Sequence, residues 1–232
     1  SLSLKGALRL VIIQGVAALA IPRFGNIAGA AWLKTVHGLG MLRFTGIHLA
    51  ATLLNAATVA SIGLVAVLAG ARSAPAAIIL VCALAGSVAA ILLGTKLHVQ
   101  RTSRLRRAAM DVHEGFNSLA SRRGRLGLVV LFQGWAMAAR TARIACSIVA
   151  VAAVWPDGAG VFVAGSLADL ATLVAITPAG LGLREAAATA AATVAGVGVE
   201  EMLAAVVLDR IIGVAGTLLL GFPLTLSKQK AT

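Results

Sequence analysis

The 232 residues carry 59% hydrophobic and 12% charged side chains with a mean hydropathy of +0.97, which leaves too little polar surface to cover a water-soluble globule. Apolar runs of about 18 residues or more recur, each long enough to cross about 30 Å of hydrocarbon, and no alternating ten-residue pattern marks a β-barrel. The net charge of +12 sits mostly in one loop and at the ends, with no soluble domain to present it, so anionic lipid headgroups rather than nucleic acid are the expected partners.

In chain order, residues 7–22 form a short apolar segment that ends at Pro22 and lacks a small-residue cleavage pattern. No signal peptide is therefore expected, and the start at Ser1 without a methionine leads us to expect an upstream part. After Gly25 a second short helix is predicted over 26–38. Residues 44–70 and 76–94 hold no charged side chain and are joined by Ala71-Arg72-Ser73-Ala74-Pro75, a helical hairpin that crosses the membrane twice.

Residues 95–125 gather Lys96, Arg101, Arg104, Arg106, Arg107, Arg122, Arg123 and Arg125 against Asp111 and Glu114, so positive-inside bias places this loop in the cytoplasm. Within it, Leu105, Ala108, Ala109, Val112, Phe116 and Leu119 are spaced for a helix lying on the membrane surface, with a solvated basic linker as the equal reading. Residues 126–154 are a long span containing Arg140 and Arg143, ended by Trp155-Pro156-Asp157-Gly158. Residues 160–177 are again short and end at Pro178, a small-residue helix is predicted over 183–197, and 201–226 make the last span before Lys228 and Lys230.

Six full spans would put either the Arg-rich loop or the Lys228/Lys230 tail on the wrong side. The conflict disappears if 7–22 with 26–38, and 160–177 with 183–197, are re-entrant hairpins that enter and leave on one side each. An internal repeat agrees with this. Thr35-Val36-His37-Gly38-Leu39-Gly40 and Thr193-Val194-Ala195-Gly196-Val197-Gly198 match at four of six positions, 158 residues apart, with Pro22/Gly25 and Pro178/Gly182 ahead of them. The expected fold is an all-α polytopic transmembrane bundle with two re-entrant helical hairpins in an inverted repeat, as in secondary transporters. It forms a single domain over 1–232: repeat 1 over about 7–70, helix 76–94, basic loop 95–125, helix 126–154 and repeat 2 over about 160–226.

Ionisable groups inside such spans are the strongest functional signal, because a central Arg or Asp costs about 2.5–3.5 kcal/mol to insert. Arg140, Arg143, Asp169, Arg184, Glu185, Asp209 and Arg210 fall in or beside apolar segments and must face one another, a polar cavity or an anionic ligand. Arg140 and Arg143 project from one helix face with Ser147 a turn away, an arrangement that suits a phosphate, or else pairing with Asp169 or Glu185 across the bundle, or snorkelling at the interface. In Thr177-Pro178-Ala179-Gly180-Leu181-Gly182-Leu183-Arg184-Glu185 the proline ends a helix, Gly180 and Gly182 turn the chain, and the free amides of the next helix with Arg184 make a candidate anion site. Asp209-Arg210 precedes a small face at Gly213 and Gly216, and an internal ion pairing with Arg184-Glu185 is expected.

Cys82 and Cys146 read as small buried hydrophobes. His48 reads as a satisfied interior histidine, and His37, His98 and His113 are scattered. With no metal-ligand spacing, nucleophile elbow or phosphate loop, neither an enzyme, a metal nor a cofactor is expected.

The block Pro178-Ala179-Gly180-Leu181-Gly182-Leu183-Arg184-Glu185, followed by Arg210 and small residues, resembles the Pro-x-Gly-x-Gly-x-Arg-Glu signature of the lysylphosphatidylglycerol synthase/flippase transmembrane family. Pro22-Arg23-Phe24-Gly25-Asn26 and Lys34-Thr35-Val36-His37-Gly38 occupy the places of its Pro-x-Arg-x-Gly-Glu block and successor, and the similarity covers most of the chain. Two departures stand out: Asn26 replaces the usual Glu, and the expected Glu-Arg-x-x-Asp reads Ala51-Thr52-Leu53-Leu54-Asn55. Family members also usually carry further helices ahead of the point where this chain starts.

The resemblance implies a multi-pass inner-membrane lipid translocase for aminoacylated phosphatidylglycerol or polyprenyl-phosphate-linked lipids. Arg140, Arg143, Arg184 and Arg210 would bind the headgroup, Glu185 and Asp209 would orient them, and Pro22, Gly25, Pro178, Gly180 and Gly182 would permit opening. The alternative is a non-transporting scaffold or regulatory subunit partnered with a lipid-modifying enzyme through residues 95–125. An oligomer is compatible with either.

Overall fold

A computed structural model describes residues 4–20, 24–71, 73–96, 104–120, 123–174 and 182–226. These residues form an all-α polytopic bundle: α1 (Leu4–Ala20), α2 (Phe24–His37), α3 (Met41–Ala66), α4 (Ala74–Lys96), α5 (Arg104–Ala120), α6 (Arg123–Ala152), α7 (Gly158–Val174), α8 (Leu183–Thr189) and α9 (Val199–Leu226). The end of α3 runs on as a π-helical turn, Val67–Ala71. Pro22, Pro178 and Gly180 lie outside the described residues.

Among the described residues, four stretches are long and apolar enough to cross a membrane by length and composition: Met41–Gly70, Ala74–Leu93, Leu126–Ala152 and Val199–Leu219. The apolar parts of α1 and α7 are shorter, Arg9–Ala18 and Gly158–Leu173. Large apolar side chains such as Leu68, Ile78, Leu93, Leu131 and Leu219 point outward, as expected where lipid rather than water is the solvent.

Helix α3 is the central strut, packing against α2, α4, α5, α6 and α7. Its contacts are close because they use glycine. A Cβ on Gly46 would collide with the backbone carbonyl of Val112 in α5, and one on Gly115 of α5 would collide with the carbonyl of Arg43 in α3. The two helices thus approach through reciprocal glycines. The basic segment is a helix docked by Gly115 and Phe116 on α3 rather than a solvated linker, for a buried aromatic holds it in place. Farther along, Gly63 of α3 meets Ser166 of α7, and Ala60, Leu80, Ile144, Ile148, Ala164 and Met202 build the main core between α3, α4, α6, α7, α8 and α9.

In α2, Gly25 and Gly29 are buried against Gln14 of α1. Gly25, taken from the sequence as a break, is therefore a packing contact inside the first turn of α2.

The two Thr-Val-x-Gly-x-Gly segments have the same backbone signature. Gly38 (φ 65°) and Gly196 (φ 72°) are both left-handed, and α3 and α9 both begin three residues later. The helix expected over 183–197 is a correction. It ends at Thr189, and residues 190–196 continue as tight turns whose amides, such as Ala192 N–H to Thr189 O at 3.0 Å, reach back three residues. The stop is set by the packing of this turn on α7, just ahead of the left-handed Gly196. The winding also lets Gly160 of α7 sit directly on the Val194 carbonyl.

The two ends of the segment 157–197 meet. The Asp157 N–H donates to the Ala195 carbonyl at 2.9 Å, and the Asp157 carboxylate accepts from the Gly160 N–H at 2.7 Å, capping α7.

Gly46→Leu should force α3 and α5 apart and lower stability by about 1–3 kcal/mol or more. Gly86→Ala, where nothing lies within 4 Å of the new methyl, should change it by less than about 0.5 kcal/mol. Thermal unfolding of both variants in detergent checks the contrast.

Candidate functional site

Seven charged side chains from four helices converge in the second half of the chain. Arg140 and Arg143 stand near the middle of the span Leu126–Ala152, and Asp209 is ten residues from either end of Val199–Leu219, about 15 Å in at 1.5 Å per residue. Insertion at such depth requires pairing, and the structure supplies it.

Asp209 is fully buried and is shared by two arginines. Arg143 of α6 donates to Oδ1 through Nε and to Oδ2 through Nη2 at 3.3 Å, while Arg184 of α8 donates to Oδ2 at 2.7 Å. One carboxylate thus ties α6, α8 and α9. Arg140 donates to Oδ2 of Asp169 in α7 at 2.6 Å. Glu185 accepts from Arg210 on one oxygen and from the Gly182 N–H on the other at 2.7 Å.

The expected partnership of Arg184-Glu185 with Asp209-Arg210 is present and crossed: the arginine of each pair binds the acid of the other. Two details differ from the sequence reading. Arg143 pairs with Asp209 rather than with Asp169 or Glu185, because α6 faces α9 at this turn and Gly213 leaves its guanidinium room, 3.4 Å from the nearest possible Cβ. Of the amides at the start of α8, that of the left-handed Gly182 (φ 84°) is taken by Glu185 itself.

Among the described residues, four arginines face three carboxylates, so this cluster holds one positive charge in excess. The arginines are not equivalent. The side chains of Arg140 and Arg143 are 42% and 37% exposed, those of Arg184 and Arg210 only 13% and 16%. Ser147 donates back to the Arg143 carbonyl at 3.0 Å and is taken up by its own helix. The hydroxyls of Thr141, next to Arg140, and Ser166, one turn before Asp169, are buried without a hydrogen-bond partner among the described residues.

Sequence reasoning passed over Gln133, whose amide donates to the Ala51 carbonyl at 3.2 Å and so pins α6 to α3. Its only sequence signal was a lone amide in an apolar span. His48 stacks on Phe44 with ring centroids 6.0 Å apart, as an interior packing residue does. Cys82 and Cys146 are exposed on the outer surface, where the sequence reading had buried them, for each lies on the outward face of its helix. No group of three His, Cys, Asp or Glu side chains among the described residues is placed to hold a metal.

A bundle with four membrane-crossing helices and a paired charge cluster at mid-span is a multi-pass membrane protein with a charged interior. A family model described as the lysylphosphatidylglycerol synthase TM region matches residues 1–221, and the chain belongs to that family. No curated protein and no solved structure matches the chain. Membership fits a role concerned with membrane lipids.

Asp209→Ala should strand Arg143 and Arg184 and remove about 3–5 kcal/mol of stability. Asp169→Ala should cost less, because its one partner, Arg140, is 42% exposed. Unfolding midpoints of the two variants in the same detergent check the order.

Proposed function

We propose that the protein translocates a lipid with a phosphate-bearing headgroup between the leaflets of the cytoplasmic membrane, without chemistry on the lipid and without a cofactor. The observation that carries this reading is the excess of one guanidinium over the carboxylates at mid-span, together with the accessibility of Arg140 and Arg143. A phosphodiester supplies the missing negative charge and accepts bidentate hydrogen bonds from arginine. Arg140 and Arg143 receive the phosphate, Arg184 and Arg210 lie behind them, and Glu185 and Asp209 orient those two. The family description names lysylphosphatidylglycerol, and the sequence resemblance implies aminoacyl-phosphatidylglycerol or a polyprenyl-phosphate-linked lipid as the cargo.

In this reading α1–α2 and α7–α8 are re-entrant hairpins, related as an inverted repeat, that open alternately. The meeting of Asp157 with Ala195 supports the second hairpin, and the left-handed Gly38 and Gly196 ahead of the two long helices support the repeat.

A second reading draws on the completeness of the ion pairing: a non-transporting subunit that uses the cluster as a structural lock and scaffolds a lipid-modifying enzyme. Proteoliposomes separate the two. Fluorescent phosphatidylglycerol should cross at a rate reduced roughly tenfold or more in Arg140→Gln/Arg143→Gln, since each charge-assisted contact is worth about 1.5–3 kcal/mol. Wild-type rates in that variant and in Arg184→Ala, with a loss of stability alone, would leave the structural lock as the answer.

A further inference from the structure

The three carboxylates of the cluster are held unequally. Asp209 has two arginines, and Glu185 has an arginine and a backbone amide. Asp169 has one partner, Arg140, and that partner is the most exposed arginine of the four. The Asp169 side chain is itself only 9% exposed. Around it, α6 contributes Arg140, and Arg184 of α8 and Asp209 of α9 act on it from farther away. The other elements packed against α7 add nothing charged, since α3 beyond His48, the π-helical turn and α4 as far as Thr95 contain no acidic or basic side chain. The two unpartnered hydroxyls, Thr141 and Ser166, adjoin the same ion pair in sequence and offer it no hydrogen bond.

An anion that reaches Arg140 must therefore compete with Asp169 for one guanidinium. A phosphate and an ionised Asp169 on one guanidinium repel each other, and a carboxylate displaced from its arginine in hydrocarbon is expensive. The other arginines do not turn to Asp169 to relieve this local conflict, because Arg143 and Arg184 are already bound to Asp209 and Arg210 to Glu185. Resting on the lipid-phosphate reading above, we propose that Asp169 is the proton site of the cluster: a headgroup phosphate takes Arg140, and the released Asp169 carboxylate binds one proton from water. Release of the lipid reverses both transfers, so one proton is taken up and given back with each phosphate bound and released.

The sign follows from linkage. Pairing with Arg140 favours ionised Asp169 more than the liganded state does, so affinity for the anion rises as pH falls. Where Asp169 is ionised without lipid and neutral with it, the rise is tenfold per pH unit, the slope for one linked proton. A phosphodiester headgroup keeps its single charge throughout.

The test is binding of phosphatidylglycerol to the detergent-solubilised full chain between about pH 5 and 8, with proton uptake followed by an indicator dye in weak buffer. Wild-type protein should bind more tightly at lower pH and take up close to one proton per lipid. Asp169→Asn, which keeps the shape and every histidine, should bind with affinity nearly independent of pH and no uptake. The uptake measured on wild-type protein stands even if that variant fails to fold. Phosphatidylglycerol binding with a flat pH profile and no uptake, or a slope that persists in Asp169→Asn, overturns the proton site and leaves the lipid-phosphate reading intact. No binding at any pH overturns both.

Discussion

Charge placed in hydrocarbon must be cancelled where it stands, and the second half of this protein is arranged around that requirement. Asp209 bears most of it. As a fully buried carboxylate shared by Arg143 and Arg184, it fixes the rotation of α6 and α9 and the position of the seven-residue α8 relative to both. Each guanidinium left alone at mid-span would cost about 2.5–3.5 kcal/mol. Small residues make the pairing geometrically feasible: Gly213 admits the Arg143 guanidinium, and buried Ala188, Ala191 and Ala192 let α8 and the turn after it enter the core.

Much of this was legible in the sequence because the signals were large. Uncharged runs over 44–70 and 76–94 permit little except a span, and seven ionisable groups in apolar surroundings had to find each other. The rest was not legible because neighbouring sequences carry equal propensities. Ala186 to Val194 contains only Ala, Thr and Val, which suit a longer helix as well as the observed stop at Thr189. The choice is made by tertiary contact with Gly160, which no local pattern records. The same holds for Gly46 and Gly115, two glycines among 25 whose mutual contact across α3 and α5 has no trace in their spacing. Glu185 was expected beside an arginine, but its second bond, to its own Gly182 amide, depended on a left-handed backbone that proximity to Pro178 did not specify.

The two halves of the chain use the same materials differently. In the first, Gly25, Gly29 and Gln14 pack α1 on α2, and Asn26, Asn55 and His48 are among its polar groups. In the second, Arg184 stands 158 residues on from Asn26, and the charge cluster is built around it. If the halves derive from one ancestral unit, ionic function has concentrated in one copy, and the other has become its support. Asn26 and Asn55 standing where the family resemblance leads one to expect acids fits such a division.

The latch at Asp157 has a mechanical meaning. Its amide and carboxylate tie the base of the segment 157–197 on one side, while α7 extends 17 residues, about 25 Å, away from it. Held along its flanks by α3, α6 and α8 as well, it can turn about that base only where those contacts give. A tilt of about 10° would move Asp169, eleven residues along and about 16 Å from the base, by roughly 3 Å, as far as the 2.6 Å contact with Arg140 is long. A small rotation at a point remote from the charges would therefore make or break an ion pair in the middle of the membrane.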